Sequence, residues 1–192
     1  ELGLVVKTSM KNNSVMDREH VYTNFKKMIE ALSVPEMKCK IYLLHGDLTE
    51  EEVQSLYIHP KIKCLVSLTH GEGFGLPMFE AAQAGLPVLA PDWSGHLDFL
   101  YMKKDSKKPK AMFSRVDYDL APIPPHAVWK GVLEEGTGWC YAKQTSYQKR
   151  LRDLYKDHGR FKKQAQILSQ WIADEFEENK MYTKMTDAIL SA

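Results

Sequence analysis

Apolar residues along this chain follow two patterns: short unbroken runs, and longer stretches in which they return every three or four positions. Residues 2–6, 40–44, 64–68 and 87–89 are the short runs, and without polar alternation they predict strands buried on both faces. Over residues 17–33, Val21, Tyr22, Phe25, Met28, Ile29 and Leu32 share one face of a helix, with Asp17 as N-cap and Pro35 as its stop. Thr49 caps a helix over 50–58, with Glu50, Glu51 and Glu52 in the first turn, where the helix dipole favours carboxylates; Pro60 ends it. A third helix spans 76–84 and is closed by Gly85, and a short fourth covers 94–101. The order β-α-β-α-β-α-β over residues 2–89 predicts an α/β fold: a Rossmann-like, mostly parallel sheet with helices on both faces and right-handed crossovers.

Residues 103–125 break this rhythm. KKDSKKPK is a charge run that reads as a solvated loop, and Ala-Pro-Ile-Pro-Pro is stiff and non-helical, so the segment is an excursion from the sheet. Val132, Leu133 and residues 139–142 are expected to return to it. From Tyr147 the helical period runs to the end. Tyr147, Leu151, Leu154 and Tyr155 share one face, Phe161, Ala165, Leu168 and Ile172 another, and Met181, Tyr182, Met185 and Ile189 continue the pattern. The aromatic residues of these helices read as core packing. Residues 1–145 are therefore expected to form the Rossmann-like domain, and 146–192 a helical segment packed on it. There is no internal repeat and no low-complexity tract.

Composition narrows the partners. At 192 residues a core can bury roughly 70% of the unfolded surface, so no staples are needed. The net charge of +1 predicts no grip on nucleic acid or anionic membrane. Cys39, Cys64 and Cys140 form no close pair, so free thiols in a reducing, cytoplasmic compartment are expected, with Cys64 in the core. No apolar stretch approaches the roughly 20 residues of a spanning helix. The seven histidines lack metal-ligand spacing, so no metal site is expected.

The chemistry concentrates in Thr69-His70-Gly71-Glu72-Gly73-Phe74-Gly75-Leu76-Pro77-Met78-Phe79-Glu80-Ala81-Ala82-Gln83-Ala84-Gly85, between a strand and a helix. Three glycines in five residues allow a tight turn and close approach to a ligand. Pro77 suits the first helical position, where its missing N–H costs nothing. The amides around Phe74, Gly75 and Leu76 then form an anion site at the helix N-terminus, suited to phosphate. Glu72 and Glu80 flank it, each able to accept paired hydroxyl donors such as a sugar offers. The segment is neither the dinucleotide Gly-x-Gly-x-x-Gly nor a P-loop.

Glu72-Gly73-Phe74-Gly75-Leu76-Pro77, with Glu80 eight positions after Glu72, then Ala81, Gly85, Pro87 and Val88, resembles the signature of retaining GT-B glycosyltransferases, most of all the group-one glycosyl transferases. The specific match covers some 20 residues and extends weakly over residues 2–100 and the last helix. The resemblance implies the C-terminal, donor-binding half of a GT-B fold. It places Glu72 beside the transferred sugar as the catalytic position, the backbone of Gly71 and Gly73 to Leu76 on the sugar and diphosphate, Glu80 on the ribose, and the base near His45 and Gly46. It implies a UDP-, GDP- or ADP-sugar as donor and no metal or other cofactor.

Departures accompany the match. The family's diphosphate-binding Arg and Lys, its acceptor domain and its catalytic histidine have no counterpart here, and Glu1 is not a natural start; an N-terminal portion carrying them is expected, and with it the glycan acceptor. Alone, this chain is expected to bind donor weakly and to turn it over poorly or not at all. Lys7, at the end of the first strand, is a candidate for the crevice. His70, and Asp92 and Asp98 near Trp93 and His96, are further candidates, with structural roles the alternative for each. Two other functions stay open: a non-catalytic sugar-nucleotide-binding module, and another GT-B enzyme such as a sugar-nucleotide epimerase or a phosphorylase.

Overall fold

The computed structural model describes residues 2–9, 14–32, 37–103 and 108–191. The chain divides into two compact units, Glu1–Val53 and Gln54–Ala192. In the first, β1 (Gly3–Thr8) pairs in parallel with β2 (Lys40–His45), in the register Val5↔Tyr42. The intervening helix α1 (Val15–Ala31) is capped by Ser14, whose hydroxyl accepts from the Asp17 amide while the Asp17 carboxylate accepts from the Ser14 amide. Asp17 is thus the third helical residue and not the cap. Pro35, the expected stop, lies outside the described residues.

Burial in this unit departs from expectation. Leu4 and Val5 of β1 are exposed, as are Tyr22, Met28 and Leu32 of the α1 face, and only Val21 of that face is buried. Two strands and one helix give too few layers to cover both faces of an apolar sheet.

The second unit holds the larger core. Helix α2 (Glu50–Ile58) begins in the first unit with a reciprocal cap between Thr49 and Glu52 and delivers Tyr57 to this core. Strands β3 (Leu65–Val66), β4 (Val88–Pro91) and β7 (Ser114–Val116) form a parallel sheet in the order β3-β4-β7. Only β4 is buried throughout. Cys64, expected in the core, precedes the short β3 and is half-buried; desolvation still pushes its thiol from 9.0 up to about 12. All three cysteines are free.

Helix α3 (Leu76–Gln83) buries Met78, Ala81 and Ala82. It ends in a Schellman turn: Leu86 N–H donates to Ala81 O at 2.9 Å and Gly85 N–H to Ala82 O at 3.0 Å. The fourth helix, α4 (Leu97–Leu100), is only one turn long. The excursion contains structure that its charge hid. Strands β5 (Tyr101–Met102) and β6 (Lys110–Ala111) form a small antiparallel pair, and β7 enters the parallel sheet. Half of the charge run itself, residues 104–107, lies outside the described residues. Residues 139–142 do not return to that sheet: β9 (Gly138–Ala142) pairs antiparallel with β8 (Tyr118–Pro122). Val132 is exposed, and Leu133 closes a local bridge to Trp129.

Helices α5 (Gln144–Lys156), α6 (His158–Glu175) and α7 (Glu178–Leu190) follow. Ala165, Leu168 and Ile172 of α6 are buried, and Ser169 Oγ donates to Gln83 O at 2.6 Å, fastening α6 to the end of α3. Of the α5 stripe Leu154 is buried and Tyr147 half-buried, while Leu151 and Tyr155 are exposed; Tyr182, Met185 and Ile189 of α7 are exposed, so core packing holds for part of the α5 stripe and not for these α7 residues. Among the described residues no helix is long and apolar enough to cross a membrane.

Candidate functional site

The loop between β3 and α3 lies at the C-terminal edge of the parallel sheet, where open α/β sheets receive ligands. Gly75 is the N-cap of α3, with φ 89°, a left-handed conformation that side chains rarely adopt. Leu76 takes the first helical position and Pro77 the second, one place later than expected. Within the described residues no hydrogen bond engages the amides of Gly73, Phe74, Gly75 or Leu76. Unpaired amides at a helix start carry partial positive charge.

The Phe74 ring packs into an aromatic cluster, its centroid 5.0 Å from that of Phe99 and 5.2 Å from that of Phe79. Only its backbone is offered to the loop, and its side chain is an anchor.

A second turn, after β4, holds the loop in shape. Ser94 Oγ accepts the Glu72 N–H at 2.8 Å, and the Gly95 N–H donates to Glu72 O at 3.0 Å. Both backbone groups of Glu72 are thereby fixed. Ser94 adopts φ 78°, the one described non-glycine residue with positive φ, so the turn is strained where it meets the loop. A Cβ on Gly95 would stand 2.6 Å from the Gly73 carbonyl carbon and 2.9 Å from Glu72 O, so the two backbones touch. His96 is buried below them, its Nε2–H donating to Pro91 O at 2.8 Å. The sequence signal for this brace was the Ser-Gly dipeptide, which marks a turn but not its partner.

Glu80 lies on α3, half-buried, and accepts the Tyr57 hydroxyl at 3.3 Å. Sequence reasoning missed Tyr57, which arrives from α2. Burial first, and the Glu80 carboxylate second, push the Tyr57 phenol from 10.0 up to about 12. The folded chain holds this proton more tightly than the unfolded one. Its contribution to stability is therefore complete below pH 10.0 and lost as pH rises towards about 12. Urea-unfolding midpoints measured across that alkaline range should fall less steeply for Tyr57→Phe than for wild type; equal slopes would contradict the assignment.

His70 is held structurally. Its Nδ1–H donates to Cys140 O at 2.7 Å, its carbonyl accepts from Cys140 N–H at 3.0 Å, and its ring stacks on Trp139 at 4.5 Å. The Trp93 indole nitrogen lies 3.9 Å from where a Cβ on Gly71 would sit. Asp92 accepts from the Tyr101 hydroxyl at 2.8 Å and faces Arg115 at 3.4 Å, while Asp98 is exposed in the first turn of α4.

The structure thus brings Glu72, Gly73, Phe74, Gly75 and Leu76 together with the 94–96 turn in the second unit, with Glu80 one turn into α3. In the first unit it brings Lys7, His45 and Gly46 to the C-terminal end of the β1–β2 pair. Thr8 pairs with His45 and accepts the Gly46 amide at 3.3 Å; Lys7 is exposed. Among the described residues no three His, Cys, Asp or Glu side chains are grouped to hold a metal ion.

No protein-family profile matches the chain, and no curated protein does. Among solved structures, one chain of the crystal structure of a GtfA/B complex is similar, at 14% identity and a TM-score of 0.46, over 99% of this chain and 36% of that one. The present chain spans little more than a third of the length of that protein.

Proposed function

We propose that this chain is the donor-binding half of a retaining GT-B glycosyltransferase, holding a nucleoside-diphosphate sugar at the start of α3. The observation that carries the reading is the set of unpaired amides from Gly73 to Leu76, placed between Glu72 and Glu80 and fixed by the Ser94–Gly95 turn. The group-one signature running through the same residues supports it.

In this reading the amides and the helix dipole hold the diphosphate and stabilise the charge that develops on it as the sugar departs. Glu72, its backbone fixed at both N–H and C=O, accepts hydroxyls of the transferred hexose. Glu80, held by the Tyr57 hydroxyl, accepts the paired hydroxyls of the ribose. Transfer to a glycan hydroxyl needs an acceptor site, which the family resemblance assigns to an N-terminal domain.

Glu72→Gln separates sugar recognition from diphosphate binding. The amide keeps the shape but exchanges an acceptor oxygen for a donor. The affinity advantage of the sugar nucleotide over its bare diphosphate should fall by about tenfold, the loss of one charge-assisted hydrogen bond, while diphosphate affinity holds. Competition binding with UDP against UDP-glucose, and the GDP and ADP pairs likewise, reads both. An unchanged advantage would remove Glu72 from the sugar site.

A further inference from the structure

At the opposite edge of the parallel sheet from Glu72, beside the residues that lead into β3 and β4, lies a recess of about 320 Å³. Its walls are partly apolar, built from Ile58, Ile62, Leu86 and Pro87. Tyr57 also lines it, with its hydroxyl donated to Glu80 at 3.3 Å; the charged and titratable lining is otherwise basic, from His59, Lys63, His158 and Lys162, and among the described residues no carboxylate lines it. Each lysine is tethered by one hydrogen bond to a carbonyl, Lys63 to Pro60 O at 2.6 Å and Lys162 to Gly85 O at 2.7 Å. An ammonium group has three donors, so each keeps two. His59 Nδ1 accepts the Lys61 amide at 3.2 Å, which leaves its Nε2 as a donor. His158 Nε2–H is spent on Lys63 O at 3.2 Å and fixes the Lys63 backbone at the rim. The neighbouring carboxylate, Asp157, is engaged by Arg160 at 3.1 Å.

Tethered cations around a pocket with free donors and no acid favour a compact dianion, and the apolar walls favour a carbon skeleton attached to it. We propose that this recess is a second ligand site, specific for a phosphate monoester and separate from the site at the start of α3. It rests on none of the donor-site assignments.

The test is a backbone amide NMR titration of the full chain with inorganic phosphate and, in parallel, with phenyl phosphate. Saturable shifts at Lys63, Leu86, His158 and Lys162 are expected, with phenyl phosphate the tighter ligand. Equal affinity for the two would assign the recess to free phosphate and overturn the monoester specificity. Lys63→Gln with Lys162→Gln should weaken binding by about tenfold or more. If loss of the Lys162 tether unfolds the chain, His59→Ala with Lys63→Gln, both at exposed positions, replaces it. Absence of saturable shifts at these residues, or shifts that survive the substitutions, would overturn the site. Shifts at Gly73 to Leu76 report on the donor site alone, so the two readings fail separately.

Discussion

Gly95→Ala should disrupt the proposed nucleotide site and unfold the chain at markedly lower urea concentration. The methyl group would be driven into the Gly73 carbonyl, with Glu72 O only 2.9 Å away. Neither neighbour is the end of a flexible side chain. Relief requires the 94–96 turn to separate from the loop, which breaks the bonds from Ser94 and Gly95 to Glu72 and bares the buried His96. Overpacking together with lost backbone bonds costs on the order of 3 kcal/mol.

The glycines of the loop supply the contrast. A Cβ on Gly73 meets nothing within 4 Å, and one on Gly71 meets only Trp93 and Ser94 side-chain atoms at ordinary contact distance. Alanine at 73 or 71 should therefore leave the urea midpoint nearly unchanged. At 75 the left-handed backbone and the Met78 methyl at 2.9 Å should make alanine costly. If Gly95→Ala unfolds with the midpoint of Gly73→Ala, the two backbones do not touch as described.

This contrast also marks what the sequence could carry. Features decided within a few residues were legible. The Thr49 cap of α2, the Gly85 turn that closes α3 and the buried face of α6 each follow from local sequence alone. So was the loop itself, because glycines before a helix have a local meaning. Features made by chain segments far apart were not legible. Gly95 reads as one more glycine near a short helix; its importance lies in Gly73, more than twenty residues earlier. Tyr57 and Glu80, on different helices, meet only in the folded chain.

Strand β7 escaped for a different reason. It has only three residues, the middle one is the exposed Arg115, and it follows a lysine-rich run, so neither length nor polarity announces a sheet strand. Its burial of Ser114 and Val116 comes from its place beside β4. Strands β1 and β2 show the opposite case: their apolar runs form strands, but no residue of either is fully buried. Apolar sequence gives a strand reason to be covered, but the layers that cover it are a property of the fold around it.

The central claim is that the amides of Gly73 to Leu76, with Glu80, receive a nucleoside diphosphate. Glu80 is the side chain on which the nucleoside end depends. Its removal deletes two charge-assisted hydrogen bonds to a ribose and leaves the Tyr57 hydroxyl without its acceptor. Each such bond is worth about 1.5–3 kcal/mol, so the loss of two should lower affinity by about a hundredfold or more, with the diphosphate contacts intact. Calorimetric titration of the chain with UDP, GDP and ADP, wild type beside Glu80→Ala, measures this directly. One of the three is expected to bind the wild type, and Glu80→Ala to weaken it by that margin. Failure of all three to bind at millimolar concentration, or equal binding to both proteins, would contradict it.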